Sequence, residues 1–269
     1  VLCARTPLAS LSIETPVGTI SSQPRVATDP REGPVADMVL VTTKTYDSQG
    51  ASTWFPAVCA PHTPVFILQN GVDHVARFAA LSPGRLYVPA VVDMPCGRSA
   101  PGRVSMRRRG SILLPDSSAS QSFAALLNHP ALSATTIDDF LTASWRKLCY
   151  NCAGAVAVVT LTSQGIVRRA SAAGVIDALV RECLAVGRAE GAALEGDLPE
   201  KVVDAFQAAP PDGVNSMLAD RLAGRPLEYA SFNGAVVEKA RLHGIPTPTN
   251  DLLTALLAAV SVEVRAHGG

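Results

Sequence analysis

The sequence has no excess of either charge: 23 Lys and Arg stand against 23 Asp and Glu in 269 residues, a formal net charge of zero. That balance leaves no electrostatic footprint for nucleic acid or for an anionic membrane surface. Cysteines are few, at Cys3, Cys59, Cys96, Cys149, Cys152 and Cys183, and their spacing is not that of a disulfide framework. Cys149 and Cys152 form a C-x-x-C, yet no second pair or nearby His follows it. A metal site wants four ligands and a redox pair a helix N-terminus. The two therefore read as small buried hydrophobes one helical turn apart. A membrane span is also lacking, because the longest uncharged stretch, Leu148 to Val167, carries Asn151, Thr160, Thr162, Ser163 and Gln164. The one basic run, Arg107-Arg108-Arg109, reads as a solvated strand edge. There is no repeat and no low-complexity segment.

What is present is ordinary for a globular enzyme. Hydrophobic residues make up 48% of the chain, too many for disorder. The length suffices for two modest domains, each with its own core. A soluble, cytoplasmic protein is expected.

The first half alternates short apolar runs with helical segments. Val1-Leu2-Cys3-Ala4 is one such run, ending at Arg5. Met38 to Thr43 is continuous and β-branched, the pattern of a parallel strand buried on both faces. Val65 to Leu68 is another and ends at the turn signal Gln69-Asn70-Gly71. Leu86 to Val92 and Ser111 to Leu114 read as further strands, with helices at Asp73 to Leu81 and Ala119 to Asn128. Such alternation predicts an open α/β sheet with helices on both faces. From Asp138, a plausible N-cap, the composition turns helical. Ile176 to Glu190 has apolar residues at helical spacing. Pro226 and Gly244 frame a long helix, and Asn250-Asp251 opens a last one running to Val264. The expected domains are 1–137, α/β, and 138–269, all-α.

Several polar residues stand where a core would rather have none. Lys44 ends the Met38 strand and Asn70 follows the next; in an open α/β sheet the carboxyl ends of parallel strands form the ligand crevice. The bland alternatives are a snorkelling lysine and a turn-forming asparagine. Lys147 and Asn151 lie four apart, on one helix face, either paired in the interior or lining a cleft. Ser216 and Glu228 come from later segments, and Glu228, two residues past Pro226, reads plainly as a carboxylate favoured by a helix dipole. A Lys, a Glu and flanking Asn and Ser side chains are enough for proton transfer to a carbonyl oxygen. Spacing alone does not single them out.

Five stretches of the chain together form a specific pattern: Ala36-Asp37-Met38-Val39-Leu40-Val41-Thr42-Thr43-Lys44, Gln69-Asn70-Gly71-Val72, Trp145-Arg146-Lys147-Leu148 with Asn151, Ser216-Met217-Leu218-Ala219-Asp220, and Gly224-Arg225-Pro226-Leu227-Glu228 followed by Asn233-Gly234. In this order they resemble the ketopantoate reductases (2-dehydropantoate 2-reductases), along nearly the whole chain. The resemblance implies an α/β Rossmann-like N-terminal domain followed by an all-α C-terminal domain, and NADP(H)-dependent reduction of a 2-keto acid, ketopantoate to pantoate, in pantothenate and coenzyme A biosynthesis. It implies that Lys147 gives a proton to the keto oxygen and that Glu228 works beside it. Ser216 and Asn151 then hold substrate, Asn70 and Lys44 belong to the cofactor side of the cleft with Asn70 also near substrate, and Arg5 meets the 2′-phosphate of NADP. No metal, nucleic acid or membrane enters this picture, and a homodimer is compatible with it.

Two departures from the pattern matter. No G-x-G-x-x-G occurs in the sequence, and Val1 reads as the start of a second strand. About 25 to 30 residues, one strand, the glycine loop and a helix of a βαβ unit, are expected ahead of it, and without them NADP(H) should bind poorly, because that loop cradles the pyrophosphate. Second, Ala155 stands where family members carry another substrate-contacting asparagine. Two alternatives therefore stay open: a related 2-hydroxy-acid or opine-type dehydrogenase with another substrate, and a catalytically inactive binding or oligomerisation module.

Overall fold

The computed structural model describes residues 1–262. By contact the chain divides into two units, one of residues 1–69 and 74–140, the other of residues 70–73 and Leu141 onward.

The first unit is built on short strands. β1 (Leu2–Cys3) pairs in parallel with β4 (Val26–Ala27), while β2 (Leu11–Thr15) and β3 (Gly18–Ser22) form a hairpin. Three parallel strands follow in the order β5 (Val39–Val41), β6 (Val65–Ile67), β7 (Tyr87–Pro89). β6, in the middle, is wholly buried at Val65, Phe66 and Ile67, as an apolar parallel strand should be. β5 departs from the expectation of burial on both faces: it is an edge of this sheet among the described residues, and Leu40 is 42% exposed. The run from Leu86 to Val92 is also not one strand. The ladder to β6 closes with the Ala90 N–H on the Ile67 carbonyl at 3.1 Å, and β8 (Val91–Asp93) joins a different sheet, antiparallel to β11 (Gly110–Pro115), which runs parallel to β12 (Leu132–Ile137). β9 (Cys96–Ala100) and β10 (Arg103–Met106) complete the hairpin sheet, in the order β3-β2-β10-β9. Arg107 to Arg109 follow β10 and are exposed, Arg108 pairing with Asp93 at 2.8 Å.

Short helices α1 (Ser48–Ser52) and α2 (Phe55–Val58) follow β5, α3 (His74–Leu81) follows β6, and α4 (Ser118–Leu126) lies between β11 and β12. Aromatic side chains fill the spaces they leave. Phe55, Phe78 and Tyr87 cluster at 5.8–6.2 Å between ring centroids, and Phe66 stacks on Phe123 at 4.2 Å. Burying each ring stabilises by about 1.5–3 kcal/mol.

The second unit is helical: α5 (Phe140–Ala153), α6 (Ala155–Thr160), α7 (Ala170–Ala189), α8 (Leu198–Ala208), α9 (Ser216–Leu222), α10 (Asn233–His243) and α11 (Pro248–Val260). α7 buries Ile176, Leu179, Val180, Cys183 and Val186, a stripe at helical spacing. Trp145, fully buried on α5, packs so closely on α7 that a Cβ at Gly187 would lie 3.0 Å from its ring. Cys149, Cys152 and Cys183 are all buried in this core.

The long helix framed by Pro226 and Gly244 is corrected. Gly244 does end α10, in the left-handed conformation at φ 64°, but the helix begins only at Asn233. A helix started at Pro226 would leave the Leu227 N–H among its unpaired first-turn donors; here Leu227 donates instead to Ser261 Oγ at 3.0 Å. The stretch then passes through a 3₁₀ turn, Tyr229–Ser231. The last helix starts earlier than expected, with Pro248 in its first turn and its end at Val260; Val264 lies outside the described residues.

Candidate functional site

Local spacing sets out the first part of the site. On α5, Trp145, Leu148, Cys149 and Cys152 point into the core, the i, i+3, i+4, i+7 face of an amphipathic helix. Lys147 and Asn151 fall on another face one turn apart and are half-buried. The helix is pinned on its outer side by Arg146, which donates to Glu195 at 2.5 Å. Ser216 is exposed at the start of α9, directly after the N-cap Asn215, whose Oδ1 accepts from the Leu218 N–H at 2.8 Å.

Glu228 is placed by tertiary packing. It is 3% exposed, in the irregular stretch between α9 and the 3₁₀ turn. Arg225 anchors that stretch by donating to Asp220 Oδ1 at 2.8 Å. A carboxylate so buried needs hydrogen-bond partners. One comes from far away in sequence: Asn70 Nδ2 donates to Glu228 Oε2 at 3.4 Å, across 158 residues. Asn70 to Asp73 accordingly count with the helical unit, and Val72 packs against its core. Glu228 is thus not the dipole-stabilised first-turn carboxylate that its distance from Pro226 suggested.

A buried amide network links α10 and α11 to α7. Asn233, at the start of α10, donates to Asn250 Oδ1 at 2.9 Å, and Asn250 Nδ2 donates to Glu182 Oε2 at 2.7 Å and to the Leu179 carbonyl at 3.0 Å. Glu182 also accepts from the backbone N–H groups of Thr249 (2.8 Å) and Asn250 (2.9 Å), closing the N-terminus of α11 from outside.

Arg5 and Lys44 belong to the first unit. Arg5 is exposed, two residues after β1, and its guanidinium reaches both carboxylate oxygens of Asp47 at 3.3 Å. Asp47 ends the 3₁₀ turn Thr45–Asp47 that begins just after half-buried Lys44. The Lys44 carbonyl accepts from Gln69 Nε2 at 3.3 Å. Gln69 is itself a hub: its Oε1 accepts from Arg77 at 2.7 Å and its backbone carbonyl bonds His74 Nε2 at 2.8 Å. The fold therefore joins Arg5 to the Lys44 turn, and Asn70 to Glu228. Lys147, Asn151, Ser216, Glu228 and Asn70 share the second unit.

Among the described residues no group of His, Cys, Asp and Glu is placed to hold a metal ion, and no helix is long and apolar enough to cross a membrane. Sequence reasoning passed over Asn215, Gln69 and Asp47 as site residues. Asn215 carries an N-cap signal, a polar side chain just ahead of an apolar helix. The roles of Gln69 and Asp47 depend on partners at distances that spacing does not reveal.

Set beside known proteins, residues 2–119 match the family described as Ketopantoate reductase PanE/ApbA, and residues 139–261 match Ketopantoate reductase PanE/ApbA C terminal. The 2-dehydropantoate 2-reductase of Caulobacter vibrioides is 49% identical over 261 residues, 97% of this chain and 90% of that protein. That of Mycobacterium tuberculosis is 38% identical over 97% of this chain and 89% of its own. The crystal structure of a PanE/ApbA family ketopantoate reductase from Ralstonia eutropha superposes with a TM-score of 0.84 at 30% identity, covering 93% of this chain and 84% of that one. The fold is accordingly an α/β Rossmann-like N-terminal domain followed by an all-helical C-terminal one.

Proposed function

Because the chain belongs to the ketopantoate reductase family, we propose that it reduces a 2-keto acid, ketopantoate to pantoate, with NADP(H), and that Lys147 is the proton donor. The observation that carries the site assignment is the pairing of buried Glu228 with Asn70 in the unit that also presents Lys147 and Asn151 on successive turns of α5.

The nicotinamide supplies hydride to the keto carbon when bound. Reduction builds negative charge on the keto oxygen, and a positioned ammonium both stabilises that charge and delivers the proton that completes the hydroxyl. Lys147 fills this role. Glu228, buried and held by Asn70, sets a fixed carboxylate in the same unit to orient the lysine and the substrate hydroxyl. Asn151, one turn from Lys147, holds the substrate by its amide. Ser216 meets the carboxylate of the 2-keto acid, its exposure leaving the hydroxyl open to a ligand.

The residues present fit part of the cofactor. Arg5 offers an exposed guanidinium at the carboxyl end of β1, suited to a 2′-phosphate, and it meets Asp47 at 3.3 Å where solvent screens the pair. Lys44, at the turn that Arg5 reaches, adds a second cation. Neither provides a glycine-rich cradle, and no G-x-G-x-x-G stands among the 269 residues.

A second reading keeps the chemistry and changes the substrate. Ala155, wholly buried, offers no hydrogen bond where the family resemblance has an asparagine, which favours a 2-keto acid lacking the corresponding hydroxyl.

The test is NADPH oxidation with ketopantoate by the wild type and by Lys147→Ala, both made in a form that carries a dinucleotide-binding glycine loop. Loss of a general acid lowers kcat by about 10²–10⁴-fold. Undiminished turnover in the variant would remove Lys147 from this role, and absence of turnover with any 2-keto acid in the wild type would overturn the activity itself.

A further inference from the structure

Three residues past Asn151 the helix that carries it breaks. α5 ends at Ala153 and α6 starts at Ala155, with Gly154 between them. The Gly154 N–H reaches the Asn151 carbonyl at 3.2 Å, an i to i+3 bond that tightens the turn. The Gly154 carbonyl accepts from Asn215 Nδ2 at 3.1 Å, across 61 residues.

Gly154 is not there for backbone freedom, since its φ of −62° is open to any residue. It is there for space. A Cβ at that position would lie 2.9 Å from Asn215 Nδ2 and 3.2 Å from the Asn151 carbonyl oxygen, so only glycine admits the amide this close. The same Asn215 side chain caps α9 through Oδ1, in contact with the Leu218 N–H at 2.8 Å. One planar amide thus ties the break after Asn151 to the residue preceding Ser216. At the far end of α9, Arg221 donates to the Val158 carbonyl on α6, so the two short helices are bracketed at both ends.

Capping alone does not require asparagine. Serine, threonine or aspartate serve as well at an N-cap. What asparagine adds is the donor, and here the donor is spent on Gly154. From this geometry we infer that Asn215 is a positioning residue for the reductase reaction: it fixes the height and direction of Ser216 relative to Asn151 and Lys147, so that one 2-keto acid meets all three. The inference rests on Ser216 and Asn151 holding substrate, as proposed above.

The discriminating variant is Asn215→Asp, made in the full chain alone and together with Ser216→Ala. Aspartate keeps the cap acceptor and loses the donor, turning an attraction to the Gly154 carbonyl into repulsion. Because the cap survives, the urea midpoint should fall only modestly, by the loss of the single bond to Gly154. The KM for the 2-keto acid should rise and kcat/KM fall about 10- to 100-fold, the scale on which small misplacements act, while the KM for NADPH is unchanged. If Asn215 works through Ser216, the double variant should be no worse than Ser216→Ala, a non-additivity that a general loss of structure does not produce. Asn215→Ser, which also caps without donating to Gly154, should repeat the result and stands in should the aspartate variant not fold. Wild-type KM in Asn215→Asp, with a raised KM in Ser216→Ala, overturns this role of Asn215 and leaves the site assignment standing. Additive losses in the double variant overturn it too. An unchanged KM in Ser216→Ala would instead bring down the site assignment, and this inference with it.

Discussion

Replacing Glu182 by Ala should destabilise the helical unit by about 1–4 kcal/mol, and the figure follows from what the carboxylate holds. α11 opens with Pro248, which has no N–H, so its next two donors, on Thr249 and Asn250, need partners outside the helix. Glu182 accepts both, at 2.8 and 2.9 Å. Thr249 is partly exposed, so water can take over its N–H. Asn250 is fully buried, and its N–H would be left unsatisfied at a cost of about 1–3 kcal/mol. Losing a carboxylate at a helix N-terminus adds about 0.3–1 kcal/mol, more in a partly buried setting. The Asn250 amide still has the Leu179 carbonyl, which keeps the total from rising further. Glu182→Gln should fall between wild type and alanine, because one of the two acceptor oxygens becomes a donor facing donors. The assay is urea unfolding in a Trp54→Phe background, where fluorescence reports only Trp145, buried in the helical core. A loss below about 0.5 kcal/mol in Glu182→Ala, the range of an ordinary surface substitution, would refute the idea that this side chain closes α11.

Thiol chemistry and acid stability give two more tests. A disulfide reagent should titrate Cys3 and Cys96 quickly in the native chain and Cys59 more slowly, with Cys149, Cys152 and Cys183 reacting only on unfolding. A shared hydrogen bond with Cys183, and then burial, push the Cys149 thiol up, while burial foremost raises Cys183, so fast native labelling of either would contradict the packing. At Glu190, burial alone would raise the carboxyl pKa, but hydrogen bonds from Lys239 and His243 outweigh it and hold the group below its ordinary 4.5. A depressed carboxyl contributes stability that is present above the unfolded value and drains away as pH falls through the folded one. The stability gap between wild type and Glu190→Gln should therefore be widest above pH 4.5 and close on acidification. A gap that stays constant from neutral to strongly acidic pH would show that the ion pairs contribute nothing.

Which parts of the molecule were legible beforehand depends on the range of the forces that shape them. α7 was readable because its buried stripe from Ile176 to Val186 repeats every three or four residues, and β6 because a short apolar run bounded by a turn suits a buried parallel strand. The hairpin of β2 and β3 was not, since β3 is exposed throughout and consists of Gly, Thr, Ile and Ser, held by its cross-strand ladder and not by an apolar face. The same contrast runs through the site. Lys147 and Asn151 share a face because i and i+4 always do on a helix, and that much needed no coordinates. The helix-dipole reading of Glu228 failed because its surroundings are set by Asn70, 158 residues earlier, and by the Ser261 hydroxyl that takes the Leu227 N–H. Asn215 shows both cases in one side chain. Its oxygen obeys a local rule, capping the helix three residues on, whereas its nitrogen answers to a carbonyl 61 residues away. A single sequence records the first bond as a residue preference and the second only as an unexplained glycine at position 154. Where a polar side chain satisfies a local rule with one atom and has a second atom to spare, the distant partner of that atom is the place to look for what holds a site in register.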